Sequence, residues 1–215
     1  MHRPVTDPAL LTPEAIAAAA LDILDKEGPD ALSFRRVGAL LGTSHTTIHR
    51  HCGSLEGLLD LCADHLAADL PDIEPALSWA ESTELRFTAL YELWSAHSAL
   101  VTLRRGRPWV GPRMLSRFVE PVLQSNLAVG MTPAQMIQTY RQMYLFTLGC
   151  ATTHTAYNSR QARILIAALD PSEFPVLTMH TDVIAGSVAI AEPDVFRAGL
   201  RNLIAAAEQL TSQQH

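Results

Sequence analysis

The sequence predicts an all-α fold in two parts, a three-helix helix-turn-helix domain followed by a larger helical domain. Apolar residues recur at helical spacing along most of the 215 residues, and capping residues, prolines and glycines mark where successive segments begin and end. Almost no stretch alternates polar with apolar as a strand does. A proline-rich break, PDIEPAL from Pro71 to Leu77, separates the two parts.

The elements follow in order. Thr12 caps a helix with Pro13 at its first position, where the missing proline donor is not needed. Ile16, Ala20, Ile23 and Leu24 give it an apolar stripe, and Gly28-Pro29 stops it. Ser33 caps a second helix, with Phe34, Val37, Leu40 and Leu41 on one face and Gly42 free to take the left-handed conformation that ends it. Ser44 caps a helix of about two turns, and Gly53-Ser54 ends that one and opens the next. Leu55, Leu58, Leu59, Cys62 and Leu66 stripe this longer helix, and Pro71 terminates it.

Beyond the break, a helix runs from Ser78-Trp79 to about Ser95. A basic loop, RRGRPWVGP, spans Arg104 to Pro112, and a helix from Arg113 to Ala128 stops at Gly130. Thr132-Pro133-Ala134-Gln135 reads as a capping box, and the helix behind it carries Met136, Ile137, Tyr140, Met143, Tyr144 and Leu148. After Asp170-Pro171 the pattern weakens. A last helix starts near Pro193, with Phe196, Leu200, Leu203, Ile204 and Ala207 on one face. The predicted units are residues 1–53, a connecting helix over 54–71, and a second domain over 72–215.

Composition narrows the function. At 48% apolar residues the chain can bury a sizeable core, yet no apolar run is long enough to cross a membrane, and the N-terminus lacks a basic region followed by an apolar stretch. Cys52, Cys62 and Cys150 are odd in number and without metal-ligand spacing, which fits a reducing cytoplasm. No HExxH, nucleophile elbow, phosphate loop or CxxC is present, so an all-α enzyme has no motif behind it and neither a cofactor nor a metal is expected. The net charge of −6 opposes indiscriminate binding to nucleic acid. Locally the sign reverses: from Phe34 to Leu55 there are three arginines (Arg35, Arg36, Arg50), three histidines (His45, His49, His51) and no acid. Asp22, Asp25, Glu27 and Asp30 precede this segment and Glu56, Asp60, Asp64 and Asp69 follow it. A basic face on an acidic body suggests docking on a polyanion.

Residues of an α-helix advance by about 100° each. With Ile48 set toward the core, Thr46 and Arg50 point nearly opposite, flanked by Thr47 and His49, with His45 at the N-terminal edge. Such a helix spends one residue on packing and presents the rest. The threonine hydroxyls can bond bases or phosphates, and Arg50 can pair with phosphate or guanine. Ser33 and Arg35 open the preceding helix, where backbone donors face phosphate; Arg36 and Ser44 complete the basic, donor-rich set.

These residues resemble the N-terminal domain of the tetracycline-repressor (TetR) family of regulators from Thr12 to Leu70, in the pieces LTPEAIAAAALDILDKEG, ALSFRRVGALLGTS and IHRHCGSLEGLLD. The resemblance implies that Arg35 contacts a base and that His45, Thr46, Thr47, His49, Arg50 and His51 line the DNA. Two positions depart from the family. It usually has tyrosine where this chain has His49 and often lysine where it has Leu55, both phosphate-binding residues. Loss of the lysine is expected to weaken affinity for all sequences rather than to change specificity.

The second part resembles the branch nearest the tetracycline repressor, through Gly111-Pro112, Gly130 and FTLGC from Phe146 to Cys150. This implies an effector-binding core and a homodimer paired through a four-helix bundle, for which the helix from Pro133 and the C-terminal helix are the candidates. The family's metal-binding histidine falls at Leu103, with His97 more than a turn earlier, so a metal–tetracycline complex is not the expected effector. The supply of Trp94, Trp109, Met114, Phe118, Tyr140, Met143 and Tyr144 suggests a small, largely apolar one, with His97, Thr147 and His154 as polar candidates. The same residues serve equally as ordinary core. Altogether the resemblance implies a dimeric repressor released from a palindromic operator. A rival remains open: a DNA-binding protein of the same fold governed by a partner or by oxidation of Cys52.

Overall fold

The computed structural model describes residues 11–104, 111–152, 159–187 and 192–212. Within them every regular element is helical. α1 (Pro13–Glu27) starts on the Thr12 side chain, which accepts from the Ala15 amide at 3.2 Å, and ends at Gly28. α2 (Phe34–Leu40), α3 (His45–Cys52) and α4 (Leu55–Leu66) follow on the expected serine caps. α1 lies along α4, and α2 packs on α3, so the four helices share one core built on Ile16, Ile23, Val37, Ile48, Leu58 and Cys62, each essentially inaccessible. Two residues leave the predicted stripes. Leu40 is 46% exposed and Leu55 42% exposed, because each sits at the end of a short helix, past the neighbour it was expected to meet.

α5 (Trp79–Ala96) opens with a reciprocal capping box between Ser78 and Glu81. It does not run on into the basic loop. His97 breaks it, and α6 (Ser98–Leu103) sets off in a new direction. The predicted helix from Arg113 is made of three pieces: α7 (Pro112–Met114), a π-helical turn over Leu115–Val119, and α8 (Glu120–Ala128). Pro121 accounts for the change. It has no amide to offer and its ring crowds the carbonyl four residues back, and the wider π turn ahead of it relieves both. Gly130 ends α8 with φ 90°. α9 (Pro133–Thr152) begins at the expected box, in which Thr132 and Gln135 exchange hydrogen bonds. α10 (Ser159–Ala167), α11 (Pro175–Met179) and α12 (Thr181–Ser187) pack on one another, and α13 (Glu192–Ser212) lies against α5 and α9.

The second core is aromatic. Phe196 of α13 is stacked between Tyr91 of α5, at 4.2 Å between ring centroids, and Phe146 of α9, at 5.7 Å. Gly199 makes room for this: a side chain there would meet the Phe146 ring at 2.3 Å. Phe87 meets Phe118 edge-on, and Trp94 meets Tyr144 likewise. One buried amide joins three helices. Asn126 of α8 accepts from the Trp79 indole at 2.9 Å and donates to the Met136 carbonyl at 3.2 Å, tying the starts of α5 and α9 together.

Replacing Asn126 by alanine leaves the Trp79 N–H and the Met136 carbonyl without that partner. We expect a loss of about 1–3 kcal/mol of unfolding free energy, read from urea unfolding followed by circular dichroism, with helix content unchanged in water.

Candidate nucleic-acid interface

The geometry of α2 and α3 follows from local chemistry. Ser33 accepts from the Arg36 amide at 3.2 Å and Ser44 from the Thr47 amide at 3.1 Å. Thr47 also shares its hydroxyl with Ser44 at 2.9 Å, so this half-buried side chain belongs to the cap. Ile48 is fully buried and is the one side chain of α3 that is. Between the helices the chain must turn within a few residues, and Gly38 makes this possible. A Cβ at Gly38 would stand 2.9 Å from the Thr43 carbonyl oxygen and 3.3 Å from the His45 amide nitrogen, both backbone. The Thr43 amide in turn donates to the Gly38 carbonyl at 2.8 Å.

The outer side of α3 is free. His45, Thr46, His49, Arg50 and His51 are exposed, as are Ser33, Arg35 and Ser44. His45 Nε2 stands 3.5 Å from the Thr46 hydroxyl, and the His49 ring meets Phe34 edge-on at 5.4 Å. Arg36 departs from the expected set. Its guanidinium grips Glu27 of α1 through Nε, at 3.1 and 3.0 Å to the two carboxylate oxygens, and through a terminal nitrogen at 2.5 Å. That pair ties α2 to α1 and leaves Arg36 exposed. It also keeps the Glu27 carboxyl below its ordinary range.

Two of the three thiols sit where burial opposes ionisation. Burial pushes Cys52 up from its ordinary value and Cys62 up to about 12, away from the thiolate on which oxidation depends. Cys62 also donates to the Ala17 carbonyl at 3.7 Å.

The expected effector residues divide into groups. Trp94, Met114, Phe118, Met143, Tyr144 and Thr147 are buried, while Tyr140 and Leu103 are half-buried. Trp94, Tyr144 and Tyr140 form a connected row of rings, and burial raises the Tyr140 phenol above its ordinary range, so it stays un-ionised. Thr147 spends its hydroxyl on the Met143 carbonyl at 2.8 Å. His97 points elsewhere, toward Asp25 of α1, with Nδ1 at 3.2 Å from the carboxylate. It stands outside the aromatic row because the break after α5 turns it back to the first core. Trp109 and His154 lie outside the described residues.

His97 belongs to a set of contacts that sequence reasoning missed. Arg104, 2% exposed after α6, pairs with Asp60 of α4. Arg113 of α7 pairs with Glu14 of α1 at 2.7 Å. Asp64 of α4 reaches across to the start of α7, where Oδ1 accepts from the Arg113 amide at 2.7 Å and the Met114 amide at 3.4 Å. Gly111 precedes α7 and has no side chain to cap it; a Cβ there would collide with Asp64 at 2.2 Å. Asp64 is thus the N-cap of a helix 49 residues further on. Beside it, Pro13, Glu14, Leu61, His65, Pro112 and Arg113 line a cleft of about 240 Å³. Asp25, Asp60 and Asp64 were legible only as members of the charge runs on either side of α3, and Glu14 as part of neither.

Comparison with known proteins agrees with the helical fold. Residues 70–210 match the family model described as tetracyclin repressor-like, C-terminal domain. The chain is 26% identical over 224 aligned positions to the HTH-type transcriptional repressor DrrR1 of Streptomyces coeruleorubidus, covering 95% of this chain and 80% of that one. Among solved structures it resembles the Streptomyces coelicolor TetR family protein ActR. The ActR complex with (S)-DNPA has a TM-score of 0.78 at 27% identity, covering 93% of this chain and 98% of that chain. Apo ActR gives 0.80 at 26%, covering 95% and 98%. The ActR complex with actinorhodin gives 0.78 at 26%, covering 93% and 96%.

Two substitutions test the geometry. Gly38→Ala forces the turn away from α2, and we expect a loss of roughly 1–3 kcal/mol, with faster hydrogen exchange at α3 amides than at those of α9. Asp64→Ala removes the cap of α7 at a cost of about 0.5–2 kcal/mol, whereas Asp64→Asn, which still offers an oxygen, loses less; paired thermal melts separate them.

Proposed function

The chain belongs to the tetracycline-repressor-like (TetR) family of transcriptional regulators, and from that premise we propose that it is a dimeric repressor which holds a palindromic operator and releases it when a small, largely apolar effector enters the C-terminal core. The observation that carries this reading is α3 itself. One buried isoleucine anchors it, Thr47 is half-buried at its cap, and His45, Thr46, His49, Arg50 and His51 face solvent. That is how a helix is arranged when its outer side is meant for the edges of bases.

On this reading, residues 1–53 read DNA, 54–71 carry the connection, and 72–215 bind the effector and pair the subunits. The family match from residue 70 onward favours the same division. Thr46 and Arg50 read bases, with His45, His49 and His51 beside them; Arg35 contacts a base and the start of α2 at Ser33 approaches the backbone. Thr47 and Ser44 shape the helix start, and Arg36 fixes the angle between α1 and α2. The subunits pair through α9 and α13, which keep Ile137, Leu145, Val195 and Leu210 exposed in the single chain. Two such heads must stand about 34–36 Å apart to meet successive major grooves.

The row Trp94–Tyr144–Tyr140 is the part of the core best suited to a small apolar molecule. The relative ActR, solved with (S)-DNPA and with actinorhodin, makes those two compounds the first to try. Release then follows from the contacts described above. α5 ends on His97, α6 on Arg104, and α7 begins on Arg113; these three grip Asp25, Asp60 and Glu14 of α1 or α4, and Asp64 of α4 caps α7 in return. Displacing α5–α7 around an effector moves α4, and with it α3. A coupling of about 1–3 kcal/mol changes operator affinity roughly 5–150-fold.

In gel shifts on the palindrome upstream of its own gene, Arg50→Ala and Thr46→Ala are each expected to lose about 1–3 kcal/mol of binding while the dimer persists in size-exclusion chromatography. If both variants shift that duplex as the wild type does, the reading surface is not α3.

A further inference from the structure

α3 holds three imidazoles and one guanidinium on its open side and no carboxylate. Histidine is the side chain whose ordinary change of charge falls between about pH 5 and pH 8. His45, His49 and His51 are exposed. The contacts they make are with uncharged groups, the Thr46 hydroxyl for His45 and the Phe34 ring for His49.

The two helices packed against α3 supply few charges of their own. α2 brings Arg35, which is exposed, and Arg36, which is occupied by Glu27. α4 brings Glu56 on its exposed first turn, Asp60 paired with Arg104, and Asp64 spent on capping α7. Asp60 and Asp64 are therefore engaged with other groups. A duplex docked on α3 changes this, because it brings a row of phosphates to the imidazoles.

We propose that operator binding by this chain is proton-linked: phosphates of the duplex draw protons onto His45, His49 and His51, so the complex tightens as the pH falls through neutrality and loosens as it rises. The proposal rests on the assignment of α3 as the DNA-reading helix. Its sign follows from charge. A nearby negative charge favours the protonated imidazole. The complex then binds more protons than protein and DNA do apart, and by linkage a rising proton concentration drives association. Each proton taken up adds a cation to the contact, and with it a released counterion.

The test uses the full-length protein and a fluorescent duplex that the wild type has itself selected from a random pool at about pH 6, where affinity is expected to be greatest. Anisotropy titrations at constant ionic strength should show affinity falling roughly 10–100-fold between about pH 6 and about pH 8. The salt dependence of log K should be steeper at the lower pH by about 0.9 for each proton taken up. The readout is the pH slope, not the affinity at one pH. In the triple variant His45→Gln, His49→Gln, His51→Gln the slope should flatten, and each single variant should remove part of it. The single variants decide the matter if the triple one does not fold.

Three results overturn the proposal. A wild type that binds its duplex tightly with no pH slope refutes proton linkage and leaves the DNA-reading assignment standing. A slope that survives in the variants places the titrating group elsewhere, with His97 beside Asp25 the first to examine. Failure to select any duplex removes both the linkage and the reading on which it rests.

Discussion

Everything this protein offers to a partner at its N-terminal end hangs on a helix too short to stand alone. α3 has eight residues, barely two turns. Isolated helices shorter than about 12–15 residues are marginal in water. What holds α3 is therefore local and specific: Ile48 sealed in the shared core, Ser44 closing the first turn, Gly53 at φ 72° ending the last, and the close approach of Gly38 beneath the turn. No other side chain of α3 is wholly buried, and the polar outer face is the complement of that economy.

The same economy makes α3 responsive to the rest of the chain. The head is not bolted on by one large interface alone. Its helices α1 and α4 are also tied to three successive elements of the second part by two arginine–carboxylate pairs, the His97–Asp25 contact and the Asp64 cap. Exposed ion pairs are individually weak. The Asp64 cap differs, because it joins a carboxylate to the amide end of a helix whose own preceding residue, Gly111, has no side chain. A displacement of α7 cannot occur without straining or releasing that cap. The buried Arg104, held by Asp60, works in the same direction.

The fold was largely legible because its signals are local. Thr12, Ser33, Ser44, Ser78 and Thr132 each announce a helix start a few residues ahead, and each caps as expected. Ile48 was assigned to the core from helical periodicity alone. What escaped depends on residues distant in sequence. Arg36 reads as part of a basic face until Glu27, on another helix, is found within its reach. His97 reads as a polar pocket residue until the break after α5 turns it toward Asp25. Nothing near Asp64 in the sequence shows that it caps α7, since its partner amides lie on the far side of the break. For the effector core, aromatic and thioether side chains mark a dense interior, but dense packing and ligand contact use the same residues, and periodicity does not separate them.

Acidic residues crowd the chain on both sides of α3, while the segment from Phe34 to Leu55 has none. Several of those acids are neutralised by nearby cations, yet the chain as a whole remains at −6. The charge along the chain is consequently uneven, with an acid-free basic segment at α3 in an otherwise acidic sequence. Near a long polyanion such a segment is drawn inward while acidic ones are pushed away. Encounters are then pre-aligned, wrong-way collisions separate quickly, and the rate of productive docking exceeds what the overall charge alone suggests.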